Sequence, residues 1–175
     1  QDLDKLFKFL PLSRKNKLFT ADEQLNLESD VFIKLRVSAT QADQVKEYWS
    51  NMPKTVRANT VVLYQYIQKI IGYGEDDQVV SLLHKHLSNN WDRDLLKLYA
   101  QAQASDKIRQ LSLAEQWQQQ HSDDHVLLDV LARLAVRNEL WGKARAWFDA
   151  SLGILPTATT YRALGDLLEQ LNESK

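Results

Sequence analysis

Apolar residues recur at 3.6-residue spacing along nearly all of the 175-residue chain, with no convincing run of alternating polarity, which predicts a succession of about nine or ten helices. Thr20 with Glu23 forms a capping-box pair that opens a helix through Ser38, its apolar side supplied by Leu25, Leu27, Phe32, Leu35 and Val37. Thr40 opens a shorter helix ending near Asn51. A strongly apolar helix then runs from Lys54 to Ile71 and stops at "GYGEDD", where Gly72 and Gly74 can adopt the positive φ that a helix terminus favours. Asp76 or Asp77 caps the next helix, through Leu87, and "NNWDRD" breaks it before another begins near Arg93. Ser105 with Asp106 starts one that reaches about Gln120. "QHSDDH" leads into a helix from Val126 to Arg137, "RNEL" turns the chain into the stretch Trp141 to Pro156, and Thr159 or Thr160 leads into a last helix ending near Leu171.

Antiparallel helix pairs joined by short turns point to a helical repeat, and the C-terminal third makes the repeat explicit. Leu128, Leu131, Ala132, Ala135, Ala144, Phe148 and Pro156 fall at the tetratricopeptide spacing. The pattern restarts 33 residues on with Tyr161, Leu164, Gly165 and Leu168, close to the expected period of about 34. Small residues at Ala132, Ala144 and Gly165 would let helices approach closely, while Leu131, Phe148 and Leu164 fill the gaps between hairpins. Pro156 ends its helix by removing a donor. A weaker copy aligns Leu63 with Leu128, placing Tyr66 and Ile67 at the helix contact, Val79 at the small position and Leu83 at the large one.

The expected fold is therefore all-α: a tetratricopeptide-like right-handed superhelix of about four to five antiparallel hairpins in a single helical-repeat domain over residues 1–175. Residues 1–52 are read as degenerate N-terminal hairpins, 54–121 as divergent repeats, and 124–175 as the clearest repeat with a capping helix. Five glycines and three prolines in the whole length suit long helices. The chain opens at Gln1 within what reads as a helix, an expectation that it is part of something larger.

Charge and composition then narrow the function. Twenty-two basic against 23 acidic residues give a net charge of −1, with 12 and 11 up to residue 88 and 10 and 12 beyond, so neither half carries a nucleic-acid or membrane footprint. The absence of cysteine excludes disulfides, thiolate catalysis and cysteine-ligated metals. No phosphate loop, nucleophile elbow, HExxH or EF-hand loop occurs, and the sequence reads as a non-enzyme.

Four histidines raise the metal question. His84 and His86 point to different helix faces and cannot readily chelate one ion. His121 and His125 have i to i+4 spacing, but "HSDDH" reads as a turn with Asp123 or Asp124 as an N-cap, so no metal site is expected. Tyr48 with Trp49 and Tyr64 with Tyr66 offer faces to a flat aromatic ligand, and tyrosine can ligate haem iron, but aromatic residues at helical spacing are more often core. Glu75 to Asp77 imitates an acidic metal cluster, yet at a helix start it meets the dipole favourably. Trp141 and Trp147 are read as seals between hairpins.

Surface remains. In a tetratricopeptide superhelix the first helix of each hairpin lines the concave face, which would hold Asp129, Arg133 and Arg137, then Arg162 and Asp166 in the next copy, and Tyr64 and Gln68 in the earlier one. Arg133, Arg137 and Arg162 would form a basic strip suited to carboxylates of a peptide, a C-terminus or a porphyrin propionate. The competing reading has these arginines solvated and paired with Asp129 or Asp166.

Taken together, "LDKLFKFLPL", "QVKEYWSNMPKTVR", "NNWDRDLLKLY" and "LARLAVRNELWGKARAWFDASLGILPTATTYRALGDLLEQL" resemble the soluble C-terminal region of the proteobacterial HemY family, membrane-anchored tetratricopeptide proteins associated with haem biosynthesis. The resemblance implies two hydrophobic spans in a missing N-terminal anchor and a domain on the cytoplasmic side of the inner membrane. It implies a scaffold that organises late haem-pathway enzymes through the groove, with haem or porphyrin as a conceivable ligand. The family offers no motif that assigns a ligand residue. A haem carrier and an adaptor for peptide tails in another envelope process are the alternatives.

Overall fold

The computed structural model describes residues 2–39 and 41–171. Among them the order is α1 (Asp2–Lys15), α2 (Ala21–Ser38), α3 (Ala42–Asn51), α4 (Lys54–Arg57), α5 (Thr60–Ile70), α6 (Asp76–Leu87), α7 (Arg93–Gln101), α8 (Lys107–Glu115) with a 3-10 turn at Gln116–Gln119, α9 (His125–Arg137), α10 (Trp141–Ile154) and α11 (Ala158–Gln170), with no strand. The fold is all-α and tetratricopeptide-like. Contacts divide it into two compact units, Gln1–Gly74 and Glu75–Lys175, so the segment 54–121 is shared between them.

In the N-terminal unit the capping box at Thr20 is present: its hydroxyl accepts from the Glu23 N–H at 3.3 Å, and Glu23 accepts from the Thr20 N–H at 2.9 Å. The buried face of α2 differs from the expected one. Phe32 and Leu35 are buried with Val31, but Val37 is 69% exposed, and Gln24 and Glu28 are buried in its first turns. The reason lies across the hairpin: Ser13 donates to Gln24 at 3.1 Å, and Arg14 donates to Glu28 through Nε at 3.1 Å and through Nη2. A polar network thus takes positions that periodicity assigns to the surface, and its mutual pairing makes that burial tolerable.

The single helix expected from Lys54 to Ile71 is two. Asn59 accepts from the N–H groups of Val61 at 3.0 Å and Val62 at 3.2 Å, capping α5 and separating it from α4. The helix expected to open at Thr40 begins at Ala42, and Thr40 lies outside the described residues. Gly72 and Gly74, in the turn after α5, both have φ +82°, a left-handed conformation that glycine adopts without strain. Trp49 and Tyr66 lie face to face at 4.0 Å beside Phe32, buried in this unit's core.

In the C-terminal unit the caps are those of loop side chains reaching back to helix N–H groups. Asp92, Asp106 and Asp124 cap α7, α8 and α9. Two expected caps differ. Asp77 accepts from the N–H and hydroxyl of Ser105, at 2.9 and 2.8 Å, and so ties α6 to the loop before α8 instead of capping its own helix. Thr157, not Thr159 or Thr160, caps α11, accepting from the Thr160 N–H at 3.1 Å. The core is carried by α9, whose Leu127, Leu131, Ala132 and Ala135 are fully buried along with Ala144 and Phe148 of α10. Ser151 donates to the His125 carbonyl at 2.7 Å, pinning the far end of the α9–α10 hairpin. Leu128 is buried as well, Trp141 and Trp147 are half-buried, and Pro156 is exposed just after α10.

The next copy of the pattern behaves differently. On α11, Tyr161 is 57% exposed, Leu164 and Gly165 are half-buried, and a Cβ on Gly165 would meet nothing within 4 Å. The close approach expected there does not occur, because no further helix packs on that face among the described residues. In the weaker copy Leu63, Tyr66, Ile67, Val79 and Leu83 are all buried.

Candidate functional site

Within the C-terminal unit, first helices α7, α9 and α11 lie in succession and border a groove of about 560 Å³. Lys97 and Gln101 come from α7, His125, Asp129, Arg133 and Arg137 from α9, and Thr157, Thr159 and Thr160 from the cap and first turn of α11. Asp129, Arg133 and Arg137 stand on one side of α9 because they are four residues apart. The groove therefore gathers three of the residues expected to face it. Arg162 and Asp166 are exposed on α11 and do not line it; Tyr64, half-buried, and Gln68, exposed, belong to the other unit.

The cations in the groove are already compensated. Arg133 donates through Nε to Asp129 at 2.6 Å and through Nη2 at 3.3 Å, and Asp129 also accepts from the Thr160 hydroxyl at 2.9 Å. This i to i+4 pair is part of a bridge from α9 to the start of α11, with Arg133 also reaching the Thr159 carbonyl at 3.4 Å. Arg137 is anchored more firmly: it donates to the Ala102 carbonyl at 2.8 Å and to the Ala100 carbonyl, satisfying the C-terminal end of α7. Burial lowers the Arg137 pKa, nearby Arg133 adds to that, and Asp76 opposes it. Lys97 pairs with Asp94 at 2.8 Å. The basic strip is thus a mixed-charge surface, in which Arg133 is 39% exposed at its side chain and Arg137 is a helix-joining residue.

Two of the histidines pack against tryptophans. His121 lies flat on Trp91 at 3.7 Å, and His84 on Trp117 at 5.3 Å, where burial lowers the His84 pKa. Burial lowers the His86 pKa too, with Asp92 opposing it. Among the described residues no group of three or more histidine or acidic side chains could hold a metal ion. Of the turn "HSDDH", Asp124 is the centre: its carboxylate accepts from Trp91 Nε1 and Arg93 Nε, both at 3.0 Å, and from the Val126 N–H at 2.9 Å. Burial alone would raise its pKa, but these bonds and the Arg93 charge prevail and hold it below the usual range. His125 is half-buried at the groove.

Three of the four aromatic rings considered for a flat ligand are engaged with another ring. Trp49 and Tyr66 stack on each other, and Tyr48 packs edge-on against Phe7 while donating to Asp4 at 2.9 Å. Pairing alone does not reveal Lys97, Gln101 and the threonines as groove residues. Ala100, 33 residues before Arg133, does line it, so stepping the repeat register back once reaches α7.

These features define the class: an all-α, tetratricopeptide-like chain with a mixed-charge groove along successive first helices. No family model matches the sequence, and no curated protein does. A solved structure of a MamA mutant is similar to it, at 15% identity over 88% of this chain and 91% of that one, with a TM-score of 0.48.

Proposed function

We propose that the chain is a non-enzymatic scaffold that presents the α7–α9–α11 groove to a partner protein. The observation carrying this reading is the groove itself, which sets Arg133, Lys97, Gln101, His125 and the threonines at the start of α11 around one cleft of about 560 Å³. An extended segment crossing it would exchange water for donors at Lys97, Gln101 and Arg133, with Asp129 available to its cationic groups. The resemblance to the HemY family supports the finer reading: late haem-pathway enzymes as partners, at the cytoplasmic side of a bacterial inner membrane, with the anchor supplied by an N-terminal segment. None of the described helices is long and apolar enough to cross a membrane.

Affinity capture from a membrane extract, followed by mass spectrometry, is expected to enrich those enzymes. Arg133→Ala combined with Lys97→Ala should lower the capture about tenfold with the fold intact; enrichment of an unrelated assembly machinery, or capture unchanged by the pair, would reject the assignment. Arg137→Ala is a poor probe, since it strands two helix-end carbonyls of the α7 region.

A second reading, a tetrapyrrole carrier, is favoured by His125 sharing the groove with Arg133: an imidazole for iron and a guanidinium for a propionate. Arg137 is committed to its carbonyls, which leaves one arginine where two propionates would sit. Haemin titration giving no saturable Soret change removes this reading.

A further inference from the structure

The first helix has two faces of different chemistry. Leu10 and Ser13 are buried, and Leu3, Leu6 and Phe7 half-buried, against the rest of the N-terminal unit. Lys5, Lys8, Phe9, Leu12 and Lys15 follow at i, i+3, i+4, i+7 and i+10, so they form one stripe on the opposite side. Every residue of that stripe is exposed, Phe9 by 40% and Leu12 by 51%. Just beyond the helix, Lys17 takes a left-handed φ of 49° that closes the end of α1, and Leu18 and Phe19 follow, 54% and 43% exposed. Four of the twelve exposed large apolar side chains among the described residues thus fall within residues 9–19.

The charge of this segment is one-sided. Residues 2–19 contain five cations, Lys5, Lys8, Arg14, Lys15 and Lys17, against Asp2 and Asp4. Arg14 turns inward to Glu28, leaving the lysines around the apolar stripe. The helix is tied on its inner side by Arg14 with Glu28, Ser13 with Gln24, and Tyr48 with Asp4.

We propose that this outer face of α1, with the turn after it, docks on an anionic lipid surface. Phe9, Leu12, Leu18 and Phe19 enter the headgroup region, and Lys5, Lys8, Lys15 and Lys17 bury their methylene stems while their ammonium groups meet lipid phosphates. The stripe is exposed along its whole length and interleaves apolar with basic residues, which suits a broad anionic interface. A second copy placed on it would set the lysines against their own counterparts.

The experiment is co-sedimentation with vesicles of phosphatidylcholine alone and of phosphatidylcholine with phosphatidylglycerol, at low and high salt. Binding is expected only with phosphatidylglycerol, and it should weaken as salt rises. Phe9→Ser and Phe19→Ser should each weaken it about tenfold, and Lys5→Gln and Lys8→Gln about fivefold each. All four side chains are exposed, and an unchanged thermal melt verifies that the fold is kept. Equal binding to both vesicles, no binding to either, or variants that bind like the parent overturn the proposal. So does a parental dimer that the Phe9→Ser variant turns into a monomer, which would make the face a contact between copies.

Discussion

Helices α9 and α11 carry the same repeat register, 33 residues apart, and only one of them is core. On α9 the positions Leu128, Leu131, Ala132 and Ala135 are buried, because α10 covers one side and α7 and α8 approach from the other. On α11 the matching Tyr161, Leu164, Gly165 and Leu168 are exposed or half-buried, with α10 and α9 as neighbours. In a one-dimensional array each unit is stabilised by the neighbours on both its sides, so residue identity states what a position is able to pack and the stacking decides whether it does.

The comparison breaks most sharply at the large contact. Phe148→Ala should cost about 3–5 kcal/mol in urea unfolding, since it empties a fully buried site between α9 and α10. Leu164→Ala, at half-exposed Leu164, should cost about 1 kcal/mol. Equal costs would mean that α11 is covered in solution.

The caps of the two helices differ in the same sense. Asp124→Ala removes a cap that also receives Trp91 and Arg93, and about 2–3 kcal/mol of stability should go with it. Thr157→Ala loses one cap bond and about 1 kcal/mol. Because the folded-state pKa of Asp124 lies below its unfolded value, its contribution is complete above about pH 4 and is lost as pH falls through the folded value. An Asp124→Asn variant should therefore show a weaker acid dependence of stability than the parent; an identical pH profile would detach Asp124 from acid unfolding.

The smallest effect has the opposite sign. With open space around Gly165, Gly165→Ala should stabilise by about 0.4–1 kcal/mol by restricting the unfolded chain. A loss of stability there would reveal a close helix contact at that position after all.

Much of the fold was legible because it is local. The Thr20 capping box, the glycines after α5, the break before Arg93 and the α9–α10 hairpin all follow from residues within one turn or one repeat. Gln24 and Glu28 were illegible for the reverse reason: their partners, Ser13 and Arg14, stand on another helix, and periodicity assigns a lone glutamate to solvent. Asn59 split a stretch that contains no glycine or proline between residues 54 and 71, a cap outweighing continuity. Of the groove, Asp129, Arg133 and Arg137 were readable from register, but not that Arg137 would close the end of α7. The lysine stripe of α1 was lost in an average over 88 residues, in which its cations cancel distant acids.

By itself the sequence determined most of the helices, their order and the register of the last two repeats, because backbone capping and 3.6-residue periodicity act over a few residues. Tertiary structure alone decided which register positions became core, which charges were spent within the molecule, and which face of α1 stayed bare. Those outcomes depend on what stands opposite a side chain, and that partner is set by stacking across distances of chain that no local pattern records.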